Sequence, residues 1–328
     1  MDALSEVLRV VKLESAFFYN GEFSAPWRFR SPESCKLAAF IRDGAGHVVV
    51  YHLLLEGRVY AEAQDVRLQL RPGDIVIFPH GDPHVIESGP SPYTIDGETE
   101  LQRIFSCGLK QSRMGGGGEI SRFVCGFLMC EPRMSQVFLA GLPSVFKVNI
   151  RDGAAGEWLE KSIQYSISQA GSTQSGSEAV LAKLSETLFV ETLRRYVAEL
   201  PEHQTGWLAG ARNPEVGKAL ALMHSRPEEP WTIEGLAREV GLSRSVLAQR
   251  FRQYLGEPPL AYLTRWRLQL GMQMMASTNQ SVAQIASTVG YESESAFNRA
   301  FKREFGDPPA RYRSKARQLV GRASAPSR

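Results

Sequence analysis

Residues Ala237–Gly241 read A-x-x-V-G, and residues Ala286–Gly290 read it again. Each copy leads into a serine that opens a stretch with hydrophobes four residues apart, Leu247 and Phe251 in one, Phe297 and Phe301 in the other. Each then closes on Gly-acid-Pro-Pro, GEPP from Gly256 and GDPP from Gly306. Few folds accommodate such a repeat. Spacing of four puts each hydrophobic pair on one helical face, the glycine of A-x-x-V-G ends the preceding helix at a tight turn, and the unit is a helix-turn-helix. The copies stand 49 residues apart, with one extra residue in the second turn near Glu292, and Pro259–Ser277 between them is a good helix. Its roughly 19 residues span ~28 Å, close to the ~34 Å turn of B-DNA, so two recognition helices can enter successive major grooves on one face of a duplex.

The second copy has the fuller helix start. Ser281 followed by Gln284 makes a capping box, and Ile285, Ala286 and Val289 continue at helical spacing. Reading base edges in the major groove calls for arginine on guanine and asparagine or glutamine on adenine. The candidates on the second recognition helix are Glu294, Ser295, Asn298 and Arg299. The first offers Arg244, Ser245, Ala248 and Gln249, with Arg252 near the backbone. Ala248 can only touch a thymine methyl or leave room, so the first unit is expected to read fewer bases. Lys302, Arg303 and Arg313 suit phosphates, as do the helix starts near Thr232 and Ser281. The role of Arg250, one residue before Phe251, stays open, and the alternative for each of these charges is a solvated helix surface.

Charge is unevenly distributed. From Ala211 onward there are 18 Lys+Arg against 10 Asp+Glu, whereas the preceding residues hold 20 basic and 25 acidic, for +3 overall. A basic module joined to an acidic body fits nucleic-acid binding coupled to a second task. The tail after Pro309 carries Arg311, Arg313, Lys315, Arg317, Arg322 and Arg328 and no acid, which adds nonspecific attraction to DNA or frays as a terminus.

The first 150 residues read as β-rich. His47–Ala63 is an apolar, β-branched run broken at Glu56-Gly57, and Val66–Ile86 alternates until it turns at Pro72-Gly73-Asp74. Short strands with such turns argue for a small barrel or sandwich; Gly115–Gly118 reads as a flexible loop. Glu157–Ala170 and Ser177–Leu200 then carry helical periodicity, separated by GSTQSGS. Val180, Leu181, Leu184, Leu188, Val190, Leu193 and Val197 make the second segment apolar over more than one face, which suits packing on both the barrel and a second subunit, or burial within one domain. The expected division is a barrel over 1–150, a helical dimerisation segment over 151–200, a linker over 201–214, the DNA-binding domain over 215–316 and a basic tail over 317–328.

The stretches LAREVGLSRSVLAQRF, YLTRWRL and IASTVGYESESAFNRAFKREFGDPPARYR resemble the AraC/XylS family of bacterial transcription regulators. The resemblance covers about 100 C-terminal residues. It implies a bipartite, seven-helix DNA-binding domain and promoter activation through contact with RNA polymerase. The N-terminal half looks like the cupin-type sensor of one branch of that family. Gly73 to His84 fits the second cupin motif, G-x5-P-x-G-x2-H, and Cys125–Phe127 and Leu142-Pro143 also look like that branch. In metal-binding cupins two motifs supply histidines and a glutamate. Here His84 is present, Val50 stands where the glutamate would fall, and His52 shares the strand face of Val50. His52 and His84, with His80, form either a reduced divalent-metal site or a former one now used for packing or an organic effector.

The expected protein is therefore multidomain, with a cupin-like β-barrel, a helical dimerisation segment and an all-α domain of two helix-turn-helix units. It is expected to be a homodimeric, effector-responsive regulator of double-stranded DNA rather than an enzyme; a cupin metalloenzyme and a constitutive dimeric DNA-binding protein are the alternatives. No apolar run approaches the ~20 residues that span a membrane, and MDALSEVLRV lacks a signal-peptide layout, so a cytoplasmic location is expected. Cys35, Cys107, Cys125 and Cys130 fit reduced thiols better than a disulfide framework. Redox sensing by Cys107, Cys125 and Cys130 is the less favoured reading, because nothing in the sequence shows a lowered thiol pKa or exposure.

Overall fold

The computed structural model describes residues 2–10, 14–34, 36, 47–91, 94–107, 112–130, 139, 141–170, 176–201 and 203–315. The elements are α1 (Ala3–Val10), β1 (Glu14–Ser24), β2 (Arg28–Arg30), β3 (His47–Glu56), β4 (Val59–Ala63), β5 (Val66–Leu70), β6 (Asp74–Phe78), β7 (Val85–Glu87), β8 (Thr94–Asp96), α2 (Gly97–Cys107), β9 (Ser112–Gly115), β10 (Ile120–Cys130), β11 (Phe146–Asn149), α3 (Ala154–Ala170), α4 (Ser177–Glu199), α5 (Trp207–Arg212), α6 (Pro214–Ser225), α7 (Ile233–Val240), α8 (Arg244–Leu255), α9 (Pro259–Ser277), α10 (Val282–Thr288) and α11 (Glu294–Phe305). They fall into two units: one comprises residues 13–199, the other residues 1–12 with 200–328.

In the first unit two sheets face each other, ordered β11-β6-β3-β10-β1-β9 and β5-β4-β7-β2-β8. The turn signals at Glu56-Gly57 and Pro72-Gly73-Asp74 stand where strands end. Gly73 has φ +89°, and Asp74 behind it accepts from Arg71 N at 3.0 Å, Lys147 Nζ at 3.0 Å and Asn149 Nδ2 at 2.7 Å, tying β6 to β11. Strand β3 is buried on both faces, which explains its nearly continuous apolar run. Val48, Val50 and Leu54 enter the core between the sheets with Phe23, Phe78 and Phe123. Tyr51 lies on the opposite face of the strand, where its hydroxyl meets Ser185 Oγ of α4 at 2.5 Å. Gly126, paired with Tyr51 across β10, leaves room for that ring, since a Cβ there would stand 2.3 Å from the Tyr51 hydroxyl.

Two expectations change. Gly115–Gly118, read as a flexible loop, is fastened to the end of β1, with Gly116 N donating to Ser24 O at 2.9 Å and Gly118 N to Ala25 O at 2.8 Å. A Cβ on Gly115 would stand 1.9 Å from Ser24 O, so the glycines serve close backbone approach. Helix α1, inside the span assigned to the barrel, packs instead on α6 and α5, with Ala3 and Val7 buried. Its apolar positions find their partners in the C-terminal unit, which is thus discontinuous in sequence.

In that C-terminal unit each helix of the repeat starts on a hydroxyl cap: Thr232, Ser243, Ser281 and Ser293 accept from the backbone N–H three residues on. The capping box is complete, with Ser281 N donating to Gln284 Oε1 at 2.8 Å and Gln284 N to Ser281 Oγ at 3.1 Å. Gly241 and Gly290 turn the chain at φ +73° and +84°, a left-handed backbone that a side chain would strain. Leu236, Val240, Leu247 and Phe251 fill one unit's core, and Ile285, Val289, Phe297 and Phe301 the other's. Between them α9 runs over Pro259–Ser277, the span expected from sequence.

Candidate nucleic-acid interface and barrel interior

On α8 and α11, the buried pairs Leu247/Phe251 and Phe297/Phe301 turn the opposite faces to solvent. Arg244, Ser245, Gln249 and Arg252 are exposed on α8, and Glu294, Ser295, Arg299, Lys302 and Arg303 on α11; Asn298 is half-buried. Each repeat therefore presents a polar strip held from behind by aromatic or aliphatic anchors. Arg244 reaches Glu234 at 3.3 Å in an exposed pair of little energetic weight. The remaining basic residues divide sharply. Arg250, left open by the sequence, bridges α8 to Glu215 at the start of α6. Arg267 donates to the carbonyls of Pro227 and Glu229 at 2.6 and 2.7 Å, fixing the turn before α7. Arg313, expected at a phosphate, donates to Gln280 O at 2.6 Å and so braces the α9–α10 turn. Arg317, Arg322 and Arg328 of the basic tail lie outside the described residues.

Val246 is a surface residue the sequence reading passed over. It is 37% exposed on α8 beside Ser245 and Gln249, and its signal was a hydrophobe off the core stripe.

Within the barrel, His52 and His84 come together and His80 does not. His80 Nε2 lies 3.0 Å from the Leu142 carbonyl, whereas His52 Nε2 stands 2.9 Å from His84 Nε2. His52 also pairs with Cys125 across β3 and β10, its Nδ1 2.7 Å from Sγ. The proton positions follow from the end of this chain. The Asp82 carbonyl, 2.9 Å from His84 Nδ1, can only accept, so His84 Nδ1 donates and its Nε2 accepts from His52. His52 Nδ1 is then an acceptor for the Cys125 thiol. Every group in the chain is neutral, and burial favours that state. Desolvation pushes His84 down to about 4 and His52 well below its ordinary range, and raises the Cys125 thiol.

This donor set does not fit a divalent cation. Cys125 and His84 sit on opposite edges of the His52 ring and cannot converge on one ion, and among the described residues no three His, Cys, Asp or Glu side chains are grouped to hold a metal. Cys125 is buried with a raised pKa, the reverse of a reactive thiolate. Cys35 and the side chains of Cys107 and Cys130 lie outside the described residues.

Two family descriptions match the chain, "Cupin" over residues 2–198 and "Helix-turn-helix domain" over residues 236–315. The HTH-type transcriptional regulator AlkR of Acinetobacter baylyi is 30% identical over 321 residues, covering 96% of this chain and 100% of that protein. The RCS-specific HTH-type transcriptional activator RclR of Escherichia coli is 29% identical over 324 residues, covering 98% and 100%. The HTH-type transcriptional regulator MtrA of Neisseria gonorrhoeae is 29% identical over 251 residues, covering 75% and 79%. No described helix is long and apolar enough to cross a membrane. With two matched helix-turn-helix units behind a cupin-like barrel, and relatives of this name along nearly its whole length, the chain belongs to the AraC-type, DNA-binding transcriptional regulators with an N-terminal cupin domain.

Proposed function

We propose that the chain is a homodimeric, cytoplasmic activator whose barrel senses a small-molecule effector and whose double helix-turn-helix reads two successive major grooves. The observation that carries this reading is the pair of polar strips on α8 and α11, joined by a 19-residue helix. Arg299 and Asn298 read purines in one half-site. Gln249, with Ser245 and Val246, reads the other, where Val246 supplies apolar contact to thymine. Arg244, Arg252, Lys302 and Arg303 bind phosphate, and Glu294 and Ser295 line the entry of α11 into the groove. Contact with RNA polymerase completes activation.

The dimer reading is supported by α3 and α4. Leu181, Leu188 and Leu193 bury one side of α4, while Trp158 and Tyr165 on α3 are 60% and 67% exposed and Val180 on α4 is 53% exposed. A second copy of this face would cover them. The neutral, mutually satisfied His52–His84–Cys125 chain supports a binding role for the barrel over metal-dependent turnover.

Selection of genomic fragments by the purified chain tests the reading. Enrichment of two half-sites about one helical turn apart, lost in the Asn298→Ala/Arg299→Ala double variant, is the expected result; random recovery would sink it.

A further inference from the structure

The cavity inside the barrel is walled by the β-strand core and by α2, and its lining is almost wholly apolar. Phe23 stacks on Trp27 at 4.5 Å, and Phe123 meets both rings edge-on at 6.2 and 5.8 Å. Among the described residues no charged side chain lines this space. Its polar residues are Ser31, His52 and Cys125, and the last two are bonded to one another in the neutral chain already described. A charged guest would lose its water and meet no counter-ion there.

One donor is left over. Trp27 is 2% exposed, and its indole Nε1 has no acceptor among the described residues. A buried N–H in that state is destabilising until something accepts from it. The free space is about 30 Å³, room for little more than water. A guest of about one ring must therefore push the wall outward. Met114 and Met129 pack against this core from its rim, and flexible thioether side chains re-pack more readily than branched ones.

We propose that this cavity takes a neutral, predominantly apolar molecule of about one ring that carries a hydrogen-bond acceptor, such as an aromatic ketone or aldehyde, with the acceptor on the Trp27 indole N–H. The inference rests on the reading of the barrel as the effector-sensing unit and names the class of effector.

The test is calorimetric titration of the full chain with three probes of similar shape: acetophenone, ethylbenzene, which lacks the acceptor, and benzoate, which is charged. Acetophenone is expected to bind about ten-fold more tightly than ethylbenzene, the effect of one hydrogen bond, with benzoate undetectable. Trp27→Phe, which removes the donor, should abolish the preference for acetophenone over ethylbenzene, whatever the change in affinity for the two together. Leu101→Phe, which fills the cavity from α2, should weaken both neutral probes together and serves if the tryptophan variant does not fold. Equal binding of the two neutral probes by the wild type, binding of benzoate, or no binding of any probe overturns the proposal. Trp27-dependent binding that leaves DNA affinity unchanged upholds the pocket and overturns the sensing role. A reporter that responds to a charged metabolite while the neutral probes fail to bind overturns the ligand class and leaves the sensing role standing.

Discussion

Gly271 of α9 lies directly against the ring of Phe297 of α11, so close that a Cβ at Gly271 would stand 2.8 Å from Cζ. Glycine inside a helix costs about 1 kcal/mol relative to alanine, yet here it allows the spacer helix and the second recognition helix to meet. Gly271→Ala is expected to gain that propensity and lose more through overpacking, commonly about 1–3 kcal/mol. A net destabilisation of about 1 kcal/mol should appear in urea unfolding. In gel shifts, affinity should fall through the half-site read by α11, with base preferences in the other half-site kept.

Arg299 and Lys302 separate base reading from backbone grip. Arg299→Ala should cost about 1–3 kcal/mol on a cognate site and blur one base preference, while Lys302→Ala should weaken binding to all sequences and reduce the salt slope by about 1. Titrations on matched and single-mismatch duplexes at several salt concentrations distinguish the two. A uniform loss for Arg299→Ala would make it a phosphate contact.

Arg250 is predicted to matter for stability alone. Its pair with Glu215 is about two-thirds shielded on each side, and pairs of this exposure contribute about 0.5–1 kcal/mol. Arg250→Ala should lower the unfolding free energy by that amount, read from urea unfolding, and leave the selected DNA sequence unchanged.

Acid should loosen the C-terminal unit through His224. Burial drives this imidazole down to about 3 from an ordinary 6.5, against a smaller opposite effect of a backbone hydrogen bond to Ala3. Between those values the unfolded chain holds the proton and the folded chain does not, so stability rises with pH. The contribution of His224 is complete above about pH 6.5 and is lost progressively toward pH 3; at about pH 5 the loss is roughly 2 kcal/mol. Urea unfolding followed by tryptophan fluorescence at about pH 7.5 and 5 should show the change, and His224→Phe, which keeps a ring against Trp266, should flatten it.

The helix-turn-helix pair was legible in the sequence because its signals are local. Capping serines, left-handed glycines and hydrophobes four apart all act within one turn, and α9 begins and ends where proline and the loss of periodicity put it. Strand breaks at Gly57 and Gly73 were legible for the same reason. The His52–Cys125 contact was not, because it depends on the register of β3 on β10, and the strands are 60 or more residues apart in sequence. His80 was grouped with His52 and His84 by proximity in the motif, but the turn after β6 sends it to Leu142. The roles of Arg250 and Arg313 were hidden because a basic residue on a basic domain reads the same whether it meets phosphate or a carbonyl of its own chain.

The docking of α1 on α6 sets the order in which this protein can be completed during synthesis. Helix α1 is made well before its packing partners, and the helices that bury Ala3 and Val7 follow about 200 residues later. At ~5–20 residues per second that interval is roughly 10–40 s, during which the whole barrel is made. A nascent chain that stops anywhere in the barrel thus carries an orphaned helix and no DNA-binding unit. A fragment starting at Leu200 has both recognition helices but lacks the piece of its own core that lies about 200 residues upstream.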